Sequence, residues 1–171
     1  MKAMGAVVGL LLGLAGGFAV IGQERKTESM PSTPAASTHV MVSPTDIKWG
    51  DAPAALPPGA KFAVIEGNPS TAGALMAFRL KMPANYKIPP HFHPADEHVT
   101  VISGTFYMGH GDKVDEKSAK ALPAGSFVVM PAREHHFAFT TGETIVQVHA
   151  VGPWGISYVN PTDDPRKRMP R

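Results

Sequence analysis

Short apolar runs separated by Gly and Pro constrain the fold of this 171-residue chain more than any other feature. The chain contains 17 Gly and 17 Pro, and the runs between them alternate in polarity. In residues 73–82, Met76, Phe78 and Leu80 would share one face of a strand, with Arg79 on the other. No run after residue 45 has the period of an amphipathic helix. About eight to ten such strands between turn signals predict an all-β sandwich or barrel.

Residues 91–104 carry the residue types that bind metals. Imidazole and carboxylate groups are the usual ligands of mid-row divalent ions. In an extended strand His91 and His93 would point the same way, and a tight connection would let Glu97 turn back to the same centre. His136 follows a distant apolar run and could supply a fourth ligand. The pattern predicts a metal site built from a close cluster and one remote residue.

The spacing HxHx3Ex6G resembles the first motif of the cupin superfamily. In this chain it is formed by His91, His93, Glu97 and Gly104. The resemblance extends over about residues 60–152, most of the predicted folded part. It implies a double-sheet jelly-roll barrel, which agrees with the strand pattern.

A second stretch resembles the second cupin motif, Gx5PxGx2Hx3N. Gly125, Pro131 and His136 stand at matching positions, whereas Arg133 replaces the motif's Gly and Thr140 replaces its Asn. The two motifs in order imply a metal site formed by His91, His93, Glu97 and His136.

Two alternatives to this ligand set stay open. His98 and His135 are direct neighbours of predicted ligands, and a one-residue slip of a strand would exchange their roles with Glu97 and His136. Motif spacing favours Glu97 and His136. In the other alternative, Glu97 moves protons while three histidines hold the metal.

Five further residues are candidates for a supporting layer or a pocket wall. Asp96 could accept a hydrogen bond from a ligand imidazole, a common way to fix the ring. Alternation leaves Gln147 and His149 either in a pocket or on the sheet exterior, and it favours the exterior for Arg79. The candidates are Asp96, Tyr107, Gln147, His149 and Arg79.

The chain divides by composition into four parts. Lys2 and the uncharged apolar run that follows it predict that residues 1–22 are a secretory signal peptide or a membrane anchor. Residues 23–45 form a Ser/Thr/Pro-rich linker predicted to be disordered. Residues 46–160 are the predicted cupin domain, and residues 161–171 a polar, frayed tail. We therefore expect an exported protein, periplasmic or extracellular.

Two local expectations concern the ends of strands. Residues 105–109 follow Ser103 and Gly104, a turn signal that predicts a hairpin with the preceding strand. Trp154 and Phe137 are expected to plug an end of the barrel.

Composition excludes several classes of function. The chain has no Cys, which excludes disulfides, thiolate metal sites and a Cys nucleophile. The net charge is +2, and the basic run at residues 166–168 is too short to indicate nucleic-acid binding. Homodimerisation is compatible with the resemblance, since proteins that resemble cupins often pair through their sheets.

These observations predict a metal-binding cupin that acts on a small molecule. The first hypothesis is an enzyme of dioxygenase, oxidase or isomerase type, and so an oxidoreductase in its first two forms. It would use one divalent ion, with Fe or Mn favoured and Zn, Ni or Cu also compatible. The alternative is a non-catalytic metal-binding or sensory module, similar in size and ligand set to the cupin modules of some anti-sigma factors. A closed metal site without an adjoining cavity would favour that alternative.

Overall fold

The computed structural model describes residues 39–167, which belong to a compact unit from His39 to Arg171. The predicted signal or anchor and most of the predicted linker lie outside the described residues. Within the described part of the chain, no helix has both the length and the hydropathy needed to cross a membrane.

Residues 39–167 form eleven β-strands and three short 3₁₀ turns. The strands are β1 Gly50–Asp51, β2 Lys61–Glu66, β3 Leu75–Met82, β4 Lys87–Phe92, β5 Glu97–Ser103, β6 Thr105–His110, β7 Lys120–Pro123, β8 Phe127–Met130, β9 His136–Thr140, β10 Thr144–Val151 and β11 Ser157–Tyr158. The 3₁₀ turns are Pro44–Asp46, Pro161–Asp163 and Pro165–Lys167. The predicted frayed tail is thus folded up to Lys167.

The strands build two antiparallel sheets. One has six strands in the order β1-β2-β3-β10-β5-β8, and the other has five in the order β11-β4-β9-β6-β7. From β3 onward the chain passes repeatedly from one layer to the other, with β6 and β7 as the one consecutive pair of the described strands in the same sheet, as in a jelly roll. This confirms the predicted all-β, double-sheet jelly-roll fold, although the two sheets remain separately hydrogen-bonded and do not close into one continuous barrel.

The core lies between the two sheets and follows the predicted alternation. Val99 and Val101 on β5 and Val146 and Val148 on β10 are each no more than 3% exposed, while the residues between them are partly exposed or exposed. They pack with Met108 and other buried apolar side chains of the second sheet. Burial of each such side chain stabilises the folded state by about 1.5–3 kcal/mol, so the two apolar sheet faces pack against each other.

The predicted hairpin at Ser103 and Gly104 is wrong. Strand β5 pairs with β10 and β8, whereas β6 pairs with β9 and β7, so the chain crosses from one sheet to the other at Gly104. Gly104 has a φ of +76°, and a Cβ there would lie 2.4 Å from the Glu143 carbonyl oxygen. A residue without a side chain is needed to turn the chain between layers at this close backbone contact.

A β-bulge in β4 positions the first predicted ligand. Ile88 pairs with Ala138 and His91 with His136, so three residue steps on β4 match two on β9. The residues between, Pro89 and Pro90, have no backbone N–H to donate to the ladder. The extra residue lets Ile88 and His91 both face the interior, which strict alternation would forbid.

Candidate metal centre

The four predicted ligands converge from both sheets. His91 on β4 and His136 on β9 are cross-strand partners whose ring centroids are 4.2 Å apart. His93 lies just beyond the end of β4, and Glu97 is the first residue of β5 in the opposite sheet. All four side chains are buried. Among the described residues, the three histidines form a group whose potential ligand atoms lie within 4.8 Å of one another and could hold a metal ion.

Backbone carbonyls fix the orientation of each imidazole. The Nδ1 atom of His91 lies 2.7 Å from the Pro89 carbonyl oxygen, and that of His136 lies 2.9 Å from the Glu134 carbonyl oxygen. The Nδ1 atom of His93 lies 2.8 Å from the Gly155 carbonyl oxygen. A carbonyl only accepts, so Nδ1 donates in each ring and Nε2 keeps its lone pair. This arrangement is the usual support for metal-bound histidine.

Two imidazole nitrogens of the site lack hydrogen-bond partners and are suited to bind a metal ion. Within residues 39–167, the Nε2 atoms of His93 and His136 are buried and have no hydrogen-bond partner. A buried polar atom without a partner costs about 1–3 kcal/mol, so its presence calls for an explanation. A divalent ion that accepts these lone pairs would remove the penalty. The donor set therefore fits a metal, and it does not by itself select which one.

Glu97 completes the cluster as an ionised carboxylate. Its Oε2 lies 3.6 Å from Nε2 of His93 and 3.7 Å from Nε2 of His136. Burial raises the pKa of this carboxyl, whereas His93 and His136 lower it when they carry a proton on Nε2, and the net effect holds the pKa below its usual value. These distances suit either a fourth ligand or a proton acceptor beside a three-histidine centre.

Two of the three histidines, His91 and His93, have a lowered pKa and are neutral at pH 7. Burial lowers the pKa of His91 well below its ordinary value, and the neighbouring His136 and His93 add to this shift. Burial also lowers the pKa of His93, against an opposing effect of Glu97. Neutral imidazole is the form that binds metals, so the site is prepared for an ion at neutral pH.

A loop that sequence reasoning did not connect to the site supports His93. The Trp154 ring stacks on the His93 ring, with centroids 4.3 Å apart and an interplanar angle of 11°. The next residue, Gly155, supplies the carbonyl that binds His93 Nδ1. The expectation that Trp154 plugs a barrel end missed this contact, because no spacing rule links residues 154–155 to residue 93.

The two departures from the cupin motif have structural explanations. Arg133 adopts the left-handed conformation, with a φ of +65°, and its N–H donates to the His93 carbonyl at 2.9 Å. It keeps the loop shape that Gly would favour. Thr140 is buried and its hydroxyl donates to the Pro83 carbonyl oxygen at 2.7 Å, which ties β9 to the loop before β4.

The five supporting candidates lie away from the cluster. The Asp96 carboxylate accepts from the Ala132 N–H at 2.8 Å, and Tyr107 stacks on Phe139. Because Val146 and Val148 face the interior, the residues between and after them face outward. There Arg79 Nε donates to Gln147 Oε1 at 2.9 Å, and Gln147 Nε2 lies 3.3 Å from His149 Nε2. None of Asp96, Tyr107, Gln147, His149 and Arg79 lines the cavity beside the cluster.

The neighbouring histidines also point elsewhere. His98 is exposed and contacts Phe127 edge to face. His135 lies with its Nδ1 atom 2.6 Å from an oxygen of Asp112, at the protein surface. The structure thus follows the motif register, with Glu97 and His136 inside, and not the register slipped by one residue.

A cavity of about 340 Å³ adjoins the cluster between the two sheets. His91, His93, Glu97 and His136 line one part of it, and apolar side chains line most of the remainder, together with Gly155 and the charged Arg166. The 52–60 connection contributes to the wall, and it is held in place by two tyrosine hydroxyls. Tyr86 donates to the Pro57 carbonyl, and Tyr158 donates to the Ala55 carbonyl at 2.8 Å.

Fold and site together define a cupin domain whose three buried histidines could hold a metal ion. Residues 37–154 match the model of a family described as the ChrR cupin-like domain. The chain belongs to that family. No curated protein matches the sequence.

Solved structures show the same fold at low sequence identity. The polyketide cyclase RemF from Streptomyces resistomycificus is 20% identical, with a TM-score of 0.58 over 78% of this chain and 95% of that one. An RmlC-like cupin from Shewanella frigidimarina is 20% identical, with a TM-score of 0.52 over 67% of this chain and 91% of that one. A putative acetylacetone dioxygenase from Methylibium petroleiphilum is 15% identical, with a TM-score of 0.59 over 78% of this chain and 89% of that one.

Proposed function

We propose that this protein is a metal-dependent enzyme that acts on a small molecule bound in the cavity between the sheets. One observation carries the proposal: the buried imidazoles and Glu97 line the same cavity that offers about 340 Å³ of space. That volume lies in the range of ligand sites, about 300–1,000 Å³. A purely structural metal site would have no need of it.

The chain's own residues have separable roles in this proposal. His91, His93 and His136 would hold the metal, which would supply Lewis-acid or redox chemistry when bound. Their Nδ1–carbonyl hydrogen bonds keep the rings in place before metal binding. Glu97 is ionised and faces the same cavity, so it can join the ligand set or accept a proton from bound substrate. Apolar walls exclude water from the substrate.

Metal content and turnover of the purified protein test the proposal together. Residues 39–171, the compact unit, would be compared with the His91→Ala/His93→Ala variant by elemental analysis after repletion with Fe(II), Mn(II) or Zn(II). We expect one ion per chain in the parent protein and none in the variant. Metal-dependent conversion in a screen of small molecules, with oxygen uptake recorded for the oxidase and dioxygenase forms, would support an enzyme. Absence of metal from the repleted parent protein would refute the proposal.

A non-catalytic metal-binding or sensory module is the second proposal. The family match favours it, because the family is described after ChrR. On this proposal metal binding changes the stability or surface of the domain and no compound is turned over. A metal-loaded protein that melts far above its metal-free form, binds a protein partner and converts nothing in the screen would favour this proposal over the enzyme.

Export and self-association are further proposals. Export to the periplasm or the exterior rests on the composition of residues 1–22, and fractionation of cells that express the full chain tests it. A homodimer is supported by exposed Phe127 and Val129 on β8, at one edge of the six-stranded sheet. Light scattering during gel filtration measures the oligomeric state directly.

A further inference from the structure

His93 differs from the other two histidines of the cluster in what fixes its ring. His91 and His136 lie within β4 and β9, and the Nδ1 atom of each donates to a carbonyl two residues earlier in the chain. His93 lies beyond the end of β4, and its Nδ1 donates to the carbonyl of Gly155, 62 residues away. The Trp154 ring covers the same imidazole. The orientation of the His93 ring therefore depends on where the loop after β10 is held.

The connection between β2 and β3, residues 67–74, holds the segment 152–155 of that loop. Three backbone hydrogen bonds join the two. They run from the N–H of Trp154 to the carbonyl of Pro69 at 2.7 Å, from the N–H of Gly152 to the carbonyl of Ala74 at 2.9 Å, and from the N–H of Gly73 to the carbonyl of Gly152 at 2.9 Å. The side chains of residues 70–73 are exposed, so the 67–74 loop acts through its backbone.

Gly152 lets the two loops approach this closely. It is buried, and a Cβ at this position would lie 2.2 Å from the Thr71 carbonyl oxygen and 3.2 Å from that of Pro69. Both obstacles are backbone atoms, which cannot swing aside as a flexible side chain can. Any side chain at residue 152 therefore pushes the loops apart and strains the hydrogen bond from Trp154 to Pro69.

The 67–74 loop is itself a defined turn. The Thr71 N–H donates to the Asn68 carbonyl at 3.0 Å, and the Ser70 N–H donates to the Asn68 side-chain oxygen at 2.9 Å. Between them, the ring of Pro69 restricts the backbone φ angle. An Asx-turn of this kind fixes the direction of the Pro69 carbonyl that receives the Trp154 N–H.

We propose that the 67–74 loop positions His93 by holding the segment 152–155 in place, and that Gly152 is a positioning residue of the metal centre. Support passes from the Pro69 carbonyl to Trp154 and Gly155, and from these to the imidazole. The predicted effect on metal affinity rests on the proposed metal centre, whereas the orientation of the ring can be measured without metal.

Gly152→Ala and a matched control test the close contact between the loops. Gly152→Ala should weaken Mn(II) binding about tenfold, as expected for loss of a group that orients a ligand. Gly142→Ala makes the same change in the turn before β10, where a Cβ would meet nothing within 4 Å, and should leave the affinity unchanged. Titration calorimetry measures the affinities, and thermal melts of the metal-free proteins verify folding.

A second variant loosens the contact from the opposite side without changing residues 152–155. Asn68→Gly/Pro69→Gly/Ser70→Gly removes the side-chain acceptor and the restricted φ of the turn. It should weaken Mn(II) binding about threefold. The combination with Gly152→Ala should lose no more affinity than Gly152→Ala alone, because both changes release the same contact.

Nuclear magnetic resonance of the isotope-labelled, metal-free protein provides a readout that a general loss of stability would not produce. The proton on Nδ1 of each buried imidazole reports its hydrogen bond to a carbonyl. In Gly152→Ala the His93 proton should shift or exchange with water faster. The corresponding protons of His91 and His136, which have local acceptors, should keep their positions.

The outcomes separate this inference from the proposed function. An unchanged His93 signal in Gly152→Ala, or equal shifts of all three histidine signals, would overturn the inference even when the protein holds metal. Additive losses of affinity in the combined variant would also overturn it. If Gly152→Ala does not fold, the turn variant carries the same comparison. If the parent protein takes up no metal, the proposed enzyme fails, and the resonance comparison still decides whether the 67–74 loop positions His93.

Discussion

Two sets of histidines lie close in sequence and differ in almost every physical respect. The inner cluster, His91, His93 and His136, is buried, and each Nδ1 donates to a backbone carbonyl. The outer pairs, His110 with Glu134 and His135 with Asp112, are exposed and place Nδ1 beside a carboxylate. Residues 135 and 136 are adjacent, yet one belongs to each set.

The difference shows what prepares an imidazole for a metal. A carboxylate at the surface stabilises a protonated ring weakly, because water screens the pair. A neutral carbonyl in the interior orients the ring without adding charge, and burial keeps the ring neutral. Burial and the carbonyl partner, rather than His content or nearby acids, therefore distinguish the candidate ligands. Four substitutions or treatments test this comparison.

The adjacent pair provides the most direct test. His136→Ala removes a ring from the inner cluster, and we expect it to weaken Mn(II) or Zn(II) binding by more than about a hundredfold. His135→Ala, its matched control, should leave metal affinity within about twofold, since it removes only a surface contact with Asp112. Metal titration by calorimetry measures both. Equal losses in the two variants would contradict the division into inner and outer sets.

Removal of the metal should lower the stability of the parent protein. An ion that binds only the folded state at a concentration of 100 times its Kd stabilises that state by about 2.7 kcal/mol. Chelation should abolish this gain in the parent protein and in His135→Ala. In His136→Ala the melting temperature should not respond to metal or chelator. Scanning calorimetry at fixed metal concentration measures these melting temperatures.

Each set also contains an aromatic stack, and the two stacks should differ in effect. The Trp154 ring stacks on the His93 ring of the inner cluster. The Phe92 ring stacks on the His135 ring of the outer set, with centroids 5.1 Å apart. Trp154→Leu should weaken metal binding about tenfold because the ring loses its support, and Trp154→Phe should recover most of it. Phe92→Leu should not change metal affinity. A drop of similar size in both Leu variants would contradict the distinction between the inner and the outer stack.

The smallest change in stability is expected from the loop that precedes His135 and His136. Arg133 is held at a φ of +65°, which disfavours any residue with a Cβ by about 1–2 kcal/mol. Arg133→Gly should therefore stabilise the protein by about 0.5–1 kcal/mol after the cost of a more flexible unfolded chain. Arg133→Ala keeps the strain and should show no gain. Urea unfolding of both variants measures the difference, and a larger gain in the Ala variant would refute the explanation.

Alternation and motif spacing were sufficient to predict the jelly-roll sheets and to nominate His91, His93, Glu97 and His136. They succeed because the strand period is local and because a buried face must be apolar. The prediction of a hairpin at Gly104 is wrong because the pairing of strands is not a local property. A turn signal marks a change of direction but does not say whether the next strand joins the same sheet or the other one.

Several parts of the site depend on contacts that are distant in sequence. Nothing local in the chain connects the Gly155 carbonyl to His93 or Arg166 to the cavity. These contacts arise when two layers pack face to face and the connecting segments close over the space between them.

The sequence by itself indicated the fold class, the inward faces of the strands and the candidate ligands, because those follow from residue type, from alternation along each strand and from the resemblance to the two cupin motifs. The tertiary structure alone decided which nitrogen of each histidine is free, which side chains surround the cavity and which loop supports His93. Those properties depend on groups that meet only when the two sheets pack together.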